Sequence, residues 1–124
     1  MVHVLVVDDD FSIRQVIRFA LEDEGYSVDE APDGEAALAA IDLHHPDVIL
    51  LDMRMPGMDG WDFVERYREH HGHRAPIIIL TASQDPFRGR EEIHPENHLA
   101  KPFDLDVLLE RIAALVERAA GEEG

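Results

Sequence analysis

Apolar residues in this chain alternate between two textures. The run His3-Val4-Leu5-Val6-Val7 is continuous, rich in β-branched side chains, and stops at Asp8, Asp9 and Asp10. Such a run predicts a parallel strand buried on both faces. Beyond the aspartates the period changes. Ile13, Val16, Ile17, Ala20 and Leu21 recur at the spacing of an amphipathic helix, with Asp10 or Ser12 as N-cap and Gly25 as stop. The alternation then repeats. Tyr26 to Glu30 predicts a second strand, and Asp33-Gly34 opens an alanine-rich helix carrying Leu38 and Ile41 that ends at His44-His45-Pro46. Asp47 to Leu51 predicts a third strand, and Gly60 to His71 a helix with Val64 and Tyr67 inward, ended by Gly72. Pro76 to Leu80 and Asn97 to Ala100 predict two more strands. Asp104 caps a last helix that turns Leu105, Leu108, Leu109, Ile112 and Val116 inward, and 121–124 read as a frayed acidic tail. Between Ser83 and Asn97, Pro86, Gly89 and Pro95 interrupt the pattern, so a fourth helix there is expected to be short or irregular.

Strands alternating with helices predict a doubly wound α/β domain, (βα)5, spanning residues 1–120. Right-handed crossovers place the carboxyl ends of all strands on one edge, where ligands bind in open α/β sheets. That edge collects Asp8, Asp9 and Asp10 from the first strand, Asp52 from the third, Thr81 from the fourth and Lys101 from the fifth. Asp52 is the most telling of these, because a buried apolar run ends there and a Pro56-Gly57 turn follows.

Composition narrows the chemistry. A chain of 124 residues suits one domain, and its formal charge of -16 argues strongly against a nucleic-acid-binding surface. There is no cysteine, hence no disulfide or thiolate metal site, and no transmembrane run or signal-peptide pattern is visible; a cytoplasmic protein is expected. Lys101 is the sole lysine. Clustered carboxylates repel one another and favour a bound cation, and all-oxygen ligands suit Mg²⁺ or Mn²⁺ rather than zinc. A carboxylate beside such an ion can attack phosphorus and form an acyl phosphate. Lys101 can pair a phosphoryl oxygen as a point charge, and Thr81 can hydrogen-bond another.

Four motifs in this order, Val-Val-Asp-Asp-Asp, Asp-Met-Arg-Met-Pro-Gly-Met-Asp-Gly, Thr-Ala and Lys-Pro-Phe, together resemble the receiver domain of two-component response regulators, the stand-alone chemotaxis type included. The resemblance covers residues 3–119. It implies a flavodoxin-like fold with a five-stranded parallel sheet of order 2-1-3-4-5. It also implies a phosphorylation switch that catalyses its own phosphorylation and dephosphorylation. Asp52 is then the phospho-acceptor, and Asp8 and Asp9 the acidic pair, with Asp9 the more direct Mg²⁺ ligand. The main-chain carbonyl of Arg54 is the third protein ligand, Lys101 the phosphate-pairing lysine and Thr81 the switch hydroxyl. The Lys101–Pro102 bond is expected to be cis. Expected partners are a histidine kinase or histidine phosphotransfer protein and a downstream protein target, with the domain a monomer or weak dimer. No output segment is recognisable in the sequence, so output by protein contact is expected.

Two features depart from the family pattern. The segment before the last strand is His94-Pro95-Glu96-Asn97 in place of a small-residue turn, and the aromatic switch position is His98. Together they predict that 84–97 are irregular and become ordered on activation. Side chains two after the acceptor and two after the switch hydroxyl, Arg54 and Ser83, influence water attack in the family; the bulk of Arg54 predicts an acyl phosphate longer-lived than in the chemotaxis type. Two other functions are open. An aspartate-nucleophile phosphatase wants a second Asp two residues after the nucleophile, where Arg54 stands. A degenerate receiver that binds a partner without phosphorylation would have lost an acid, the Thr or the Lys, and none is lost. The histidines at 44, 45, 70, 71 and 73 fall near predicted helix C-termini, where the dipole favours them; a metal site there is the lesser alternative.

Overall fold

The computed structural model describes every residue except Pro56, His73, 82–97 and Gly124, with Thr81 and 119–123 described as backbone only. Its sheet is formed by β1 (His3–Val7), β2 (Ser27–Ala31), β3 (Val48–Asp52), β4 (Ile77–Thr81) and β5 (His98–Ala100). All pairings are parallel, in the order β2-β1-β3-β4-β5. Helices α1 (Phe11–Asp23), α2 (Gly34–Leu43), α3 (Gly60–His71) and α4 (Leu105–Glu123) cover the two faces. This is the doubly wound α/β architecture expected from the alternation, with the flavodoxin-like strand order that the resemblance implies.

The strand pleat divides the core in two. Leu5, Val7, Ile49, Leu51, Ile77 and Ile79 pack with Ala37 and Ile41 of α2 and with Phe63, Val64 and Tyr67 of α3. Their neighbours Val4, Val6, Val48, Leu50, Ile78 and Leu80 pack on the other face with Ile17 and Leu21 of α1 and Leu108 and Ile112 of α4. Each of the Val, Leu, Ile and Phe side chains contributes about 1.5–3 kcal/mol on burial. Two-sided burial is why these strands read as unbroken apolar runs rather than alternating ones.

Several expectations are corrected at the level of single residues. Strands β2, β3 and β4 each lie one residue further along, so Asp52 is the last residue of β3, in register with Leu80. Strand β5 begins at His98. Val16, expected inward on α1, is 52% exposed, because α1 stands away from the Pro102–Leu105 segment and leaves a groove between them. Helix α4 continues to Glu123, since nothing in Ala119-Ala120-Gly121-Glu122-Glu123 stops a helix except one glycine. The fourth helix expected between β4 and β5, and the expected irregularity of 84–97, fall outside the described residues.

Candidate functional site

Strand ends and caps build the site. Strands β1 and β3 are adjacent in register, Val7 opposite Leu51, so Asp8 and Asp52 leave the sheet side by side. Asp8 is fully buried and Asp52 is 5% exposed, while Asp9 lies open to solvent. One carboxylate oxygen from each of Asp8, Asp9 and Asp52 lies within 4.8 Å of the others. With Asp10, Ile13, Arg54 and Lys101 these residues line a cavity of about 270 Å³.

The carboxylates are held by their own loops. Asp8 Oδ1 accepts from the Asp10 main-chain N–H at 2.9 Å. Asp10 Oδ1 accepts from the N–H groups of Ser12 and Ile13 and is thereby committed to capping α1. Asp52 Oδ1 accepts from the Arg54 N–H at 3.1 Å. Lys101, just past β5, reaches back across the sheet edge: its Nζ lies 3.1 Å from Asp8 Oδ2 and 3.5 Å from Asp52 Oδ2. The Lys101–Pro102 peptide is cis, as the resemblance implies.

One ammonium does not balance this much negative charge. Burial pushes the Asp52 carboxyl up from its ordinary pKa; the Arg54 N–H and Lys101 oppose the rise, and Asp8 and Asp9 add to it. The pocket therefore has an unmet demand for positive charge, and oxygen-only donors at this spacing fit a hard divalent cation such as Mg²⁺.

The structure brings Asp8, Asp9, Asp52, Arg54 and Lys101 together. Thr81 ends β4 beside β3, in register with Ala100, but its side chain lies outside the described residues. Ser83 is likewise outside them. His98 does not line the cavity. It is half-buried at the start of β5, where its carbonyl accepts from Arg111 Nη1 at 3.0 Å. Burial and the nearby Arg111 charge lower its pKa.

Two supports escaped the sequence reading. Arg14 Nη1 donates to the Asp8 carbonyl at 2.6 Å, while its Nε donates to Glu30 at 3.1 Å. Glu30 also accepts from Gln15 and Arg18. Burial would raise the Glu30 pKa, but the Arg18 and Arg14 hydrogen bonds outweigh it and hold it below its ordinary value. This network ties the end of β1 to α1 and β2, and no local pattern links its members. The second support is Gly60. A Cβ there would lie 2.8 Å from the Met53 Cα, so only glycine lets α3 start against the loop that carries Arg54.

Known proteins share this fold. A family model described as the response regulator receiver domain matches residues 4–113. The response regulator MprA of Mycobacterium sp. (strain KMS) is 40% identical over 99% of this chain, which covers 54% of that protein. The chain thus spans about half the length of the curated relatives it matches. Among solved structures, the chemotaxis protein CheY4 of Vibrio cholerae is 36% identical with a TM-score of 0.81, over 93% of this chain and 98% of that one. The response regulator TrrA of Thermotoga maritima, solved in complex with Mg²⁺-BeF, is 33% identical with a TM-score of 0.79, over 93% and 99% of the two chains. With its five-stranded fold and its acidic pocket at the carboxyl edge, this chain belongs to the response regulator receiver domains of two-component signalling.

Proposed function

We propose that this receiver domain accepts a phosphoryl group on Asp52 from a phosphohistidine donor in a Mg²⁺-dependent reaction, and passes the signal on through protein contacts. One observation carries the reading: a nearly buried carboxylate, Asp52, shares a pocket with Asp8, Asp9, the helix-capping Asp10 and the sole lysine. A bound Mg²⁺ would neutralise the acids and the incoming phosphoryl oxygens. Asp8, Asp9, Asp52 and the Arg54 carbonyl are the groups proposed to hold it.

A carboxylate oxygen of Asp52 attacks phosphorus, an O–P bond forms, and the P–N bond to the donor imidazole breaks with its electron pair leaving on nitrogen. Lys101, already 3.5 Å from Asp52, shifts to a phosphoryl oxygen. Thr81 is the proposed switch hydroxyl, with His98 filling the space vacated as Thr81 moves toward the phosphoryl group. A histidine kinase or phosphotransfer protein is the proposed donor. The apolar groove beside the pocket, which shares Ile13 and Lys101 with it, offers that donor a surface. Cytoplasmic location is part of the same reading; among the described residues no helix is long and apolar enough to cross a membrane.

The test is phosphoryl incorporation from acetyl phosphate or phosphoramidate with Mg²⁺. A stable acyl phosphate, lost in Asp52→Ala, is expected. Turnover of small phosphoesters would point to a phosphatase, and no labelling to a degenerate receiver.

A further inference from the structure

The opposite edge of the sheet carries a second cluster with different donors. The pleat sets His3 on the same face as Ser27 and Asp29, because His3 is in register with Ser27 and Asp29 lies two residues further along β2. Helix α2 covers that face and ends there, with His44 as its C-cap. The consequence is a compact set. His3 Nε2 lies 2.7 Å from Asp29 Oδ2, and the His3 and His44 rings stack with centroids 3.9 Å apart. One donor atom from each of His3, Asp29 and His44 lies within 4.8 Å of the other two.

We propose that His3, Asp29 and His44 form a binding site for a transition-metal dication of the Zn²⁺ class, at the edge of the sheet remote from Asp52. The donor set separates it from the acidic pocket. Two imidazoles and one carboxylate suit Zn²⁺, Ni²⁺ or Cu²⁺, whereas Mg²⁺ prefers oxygen. Three protein ligands leave one position open. A tetrahedral ion with bonds of about 2.0 Å needs donors about 3.3 Å apart. His3 and Asp29 are already closer than that, and exposed His44 has room to turn its ring edge toward them.

Three surroundings favour the ion. His3 is buried, and its other ring nitrogen, Nδ1, lies 3.2 Å from Ser27 Oγ, the kind of outer hydrogen bond that fixes a ligating imidazole. The carbonyl end of the α2 dipole points at the site and attracts a cation. Asp47 does not compete as a ligand, because its Oδ2 accepts from the His3 main-chain N–H at 2.8 Å. The remaining described histidines nearby are committed elsewhere: His45 bonds Tyr67 at 2.9 Å, and His71 faces Asp42 at 3.9 Å. Bound metal would join β1, β2 and the end of α2.

The test is titration of the full chain with Co²⁺, followed by visible absorption, in excess Mg²⁺ to occupy the acidic pocket. One equivalent with a four-coordinate spectrum, displaced by Zn²⁺, is expected. His44→Ala and Asp29→Asn change solvent-accessible side chains, and each should weaken binding by at least about tenfold. Ser27→Ala should weaken it less, while Asp52→Asn and His71→Ala should leave it unchanged. The His3 Nε2 resonance should shift on Zn²⁺ addition. Absence of binding in excess Mg²⁺, binding that survives both His44→Ala and Asp29→Asn, or binding lost with Asp52→Asn would overturn the proposal.

Discussion

The two edges of the sheet hold charge in opposite ways. At the carboxyl edge, three carboxylates face one ammonium, and the Asp52 carboxyl is pushed up by burial. At the amino edge, beside the cluster of His3 and His44, the buried Tyr67 hydroxyl has two hydrogen-bond partners. Tyr67 Oη accepts from the Ala75 N–H at 2.9 Å and shares a second hydrogen bond with His45 Nε2 at 2.9 Å. Burial, with the nearby Arg74 charge, lowers the His45 pKa and so favours the uncharged ring. The Tyr67 network is satisfied as it stands, whereas the carboxyl-edge pocket carries more negative charge than its one lysine balances. Imbalance of this sort marks a functional site better than polarity does, since both edges are polar.

The largest effect should come from breaking the imbalance. Asp9→Asn removes an open carboxylate from the pocket and should weaken Mg²⁺ binding by at least about tenfold. Asp10→Asn should leave it nearly unchanged, because Asp10 is committed to the α1 cap and Asn caps equally well. Isothermal titration of both variants checks this. Equal losses would mean that the pocket is wrongly divided between metal and helix.

Tyr67→Phe breaks the completed edge. It leaves the Ala75 N–H and His45 Nε2 without their phenol partner in a buried site, at a cost of about 1–3 kcal/mol in denaturant unfolding. Phosphoryl incorporation at the far edge should be unaffected. A stable variant with altered labelling would show that the two edges are coupled.

How much of this contrast was legible in the sequence follows from its range along the chain. Strands buried on both faces announce themselves as apolar runs, and the acids that end them stand at fixed offsets, so Asp8, Asp52 and Lys101 could be placed on one edge before any coordinates. Asp10 as cap and Gly72 as stop were equally local. Val16 was misplaced because helical period gives the inward face but not whether a neighbouring segment closes over it. Arg14 with Glu30, and His3 with Asp29 and His44, were invisible for a related reason. Each depends on strand register and on where a helix ends, which neither residue encodes alone. The relation of Gly60 to Met53 is a close approach of two backbones, and a glycine after an aspartate reads equally well as an ordinary helix start.

A smaller effect concerns lifetime. Arg54 lines the pocket and is exposed, free to lie over a phosphoryl group on Asp52. Arg54→Asn should speed decay of the acyl phosphate severalfold, measured after removal of donor. Decay at the parent rate would show that shielding by this side chain is not what protects the bond.

The smallest expected change has an unusual sign. Asp52→Asn should stabilise the domain by a few degrees in Tm near neutral pH. The Asn carboxamide oxygen can still accept from the Arg54 N–H, and Lys101 keeps Asp8 as its partner at 3.1 Å, so what is lost is chiefly a buried charge. Because burial raises the Asp52 pKa above its unfolded value, the folded state holds that proton more tightly. Its contribution to stability is fully present below the ordinary Asp range and is lost as pH rises through the folded pKa. The gap between variant and parent should therefore vanish in acid, open as pH climbs through that window, and stay constant above it. Saturating Mg²⁺ should close the gap again by stabilising the ionised parent and not the variant. Thermal melts across pH, with and without Mg²⁺, measure both. A variant less stable than its parent at neutral pH without metal would mean that the carboxyl edge is balanced after all, and that the contrast between the edges lies in chemistry rather than in stored repulsion.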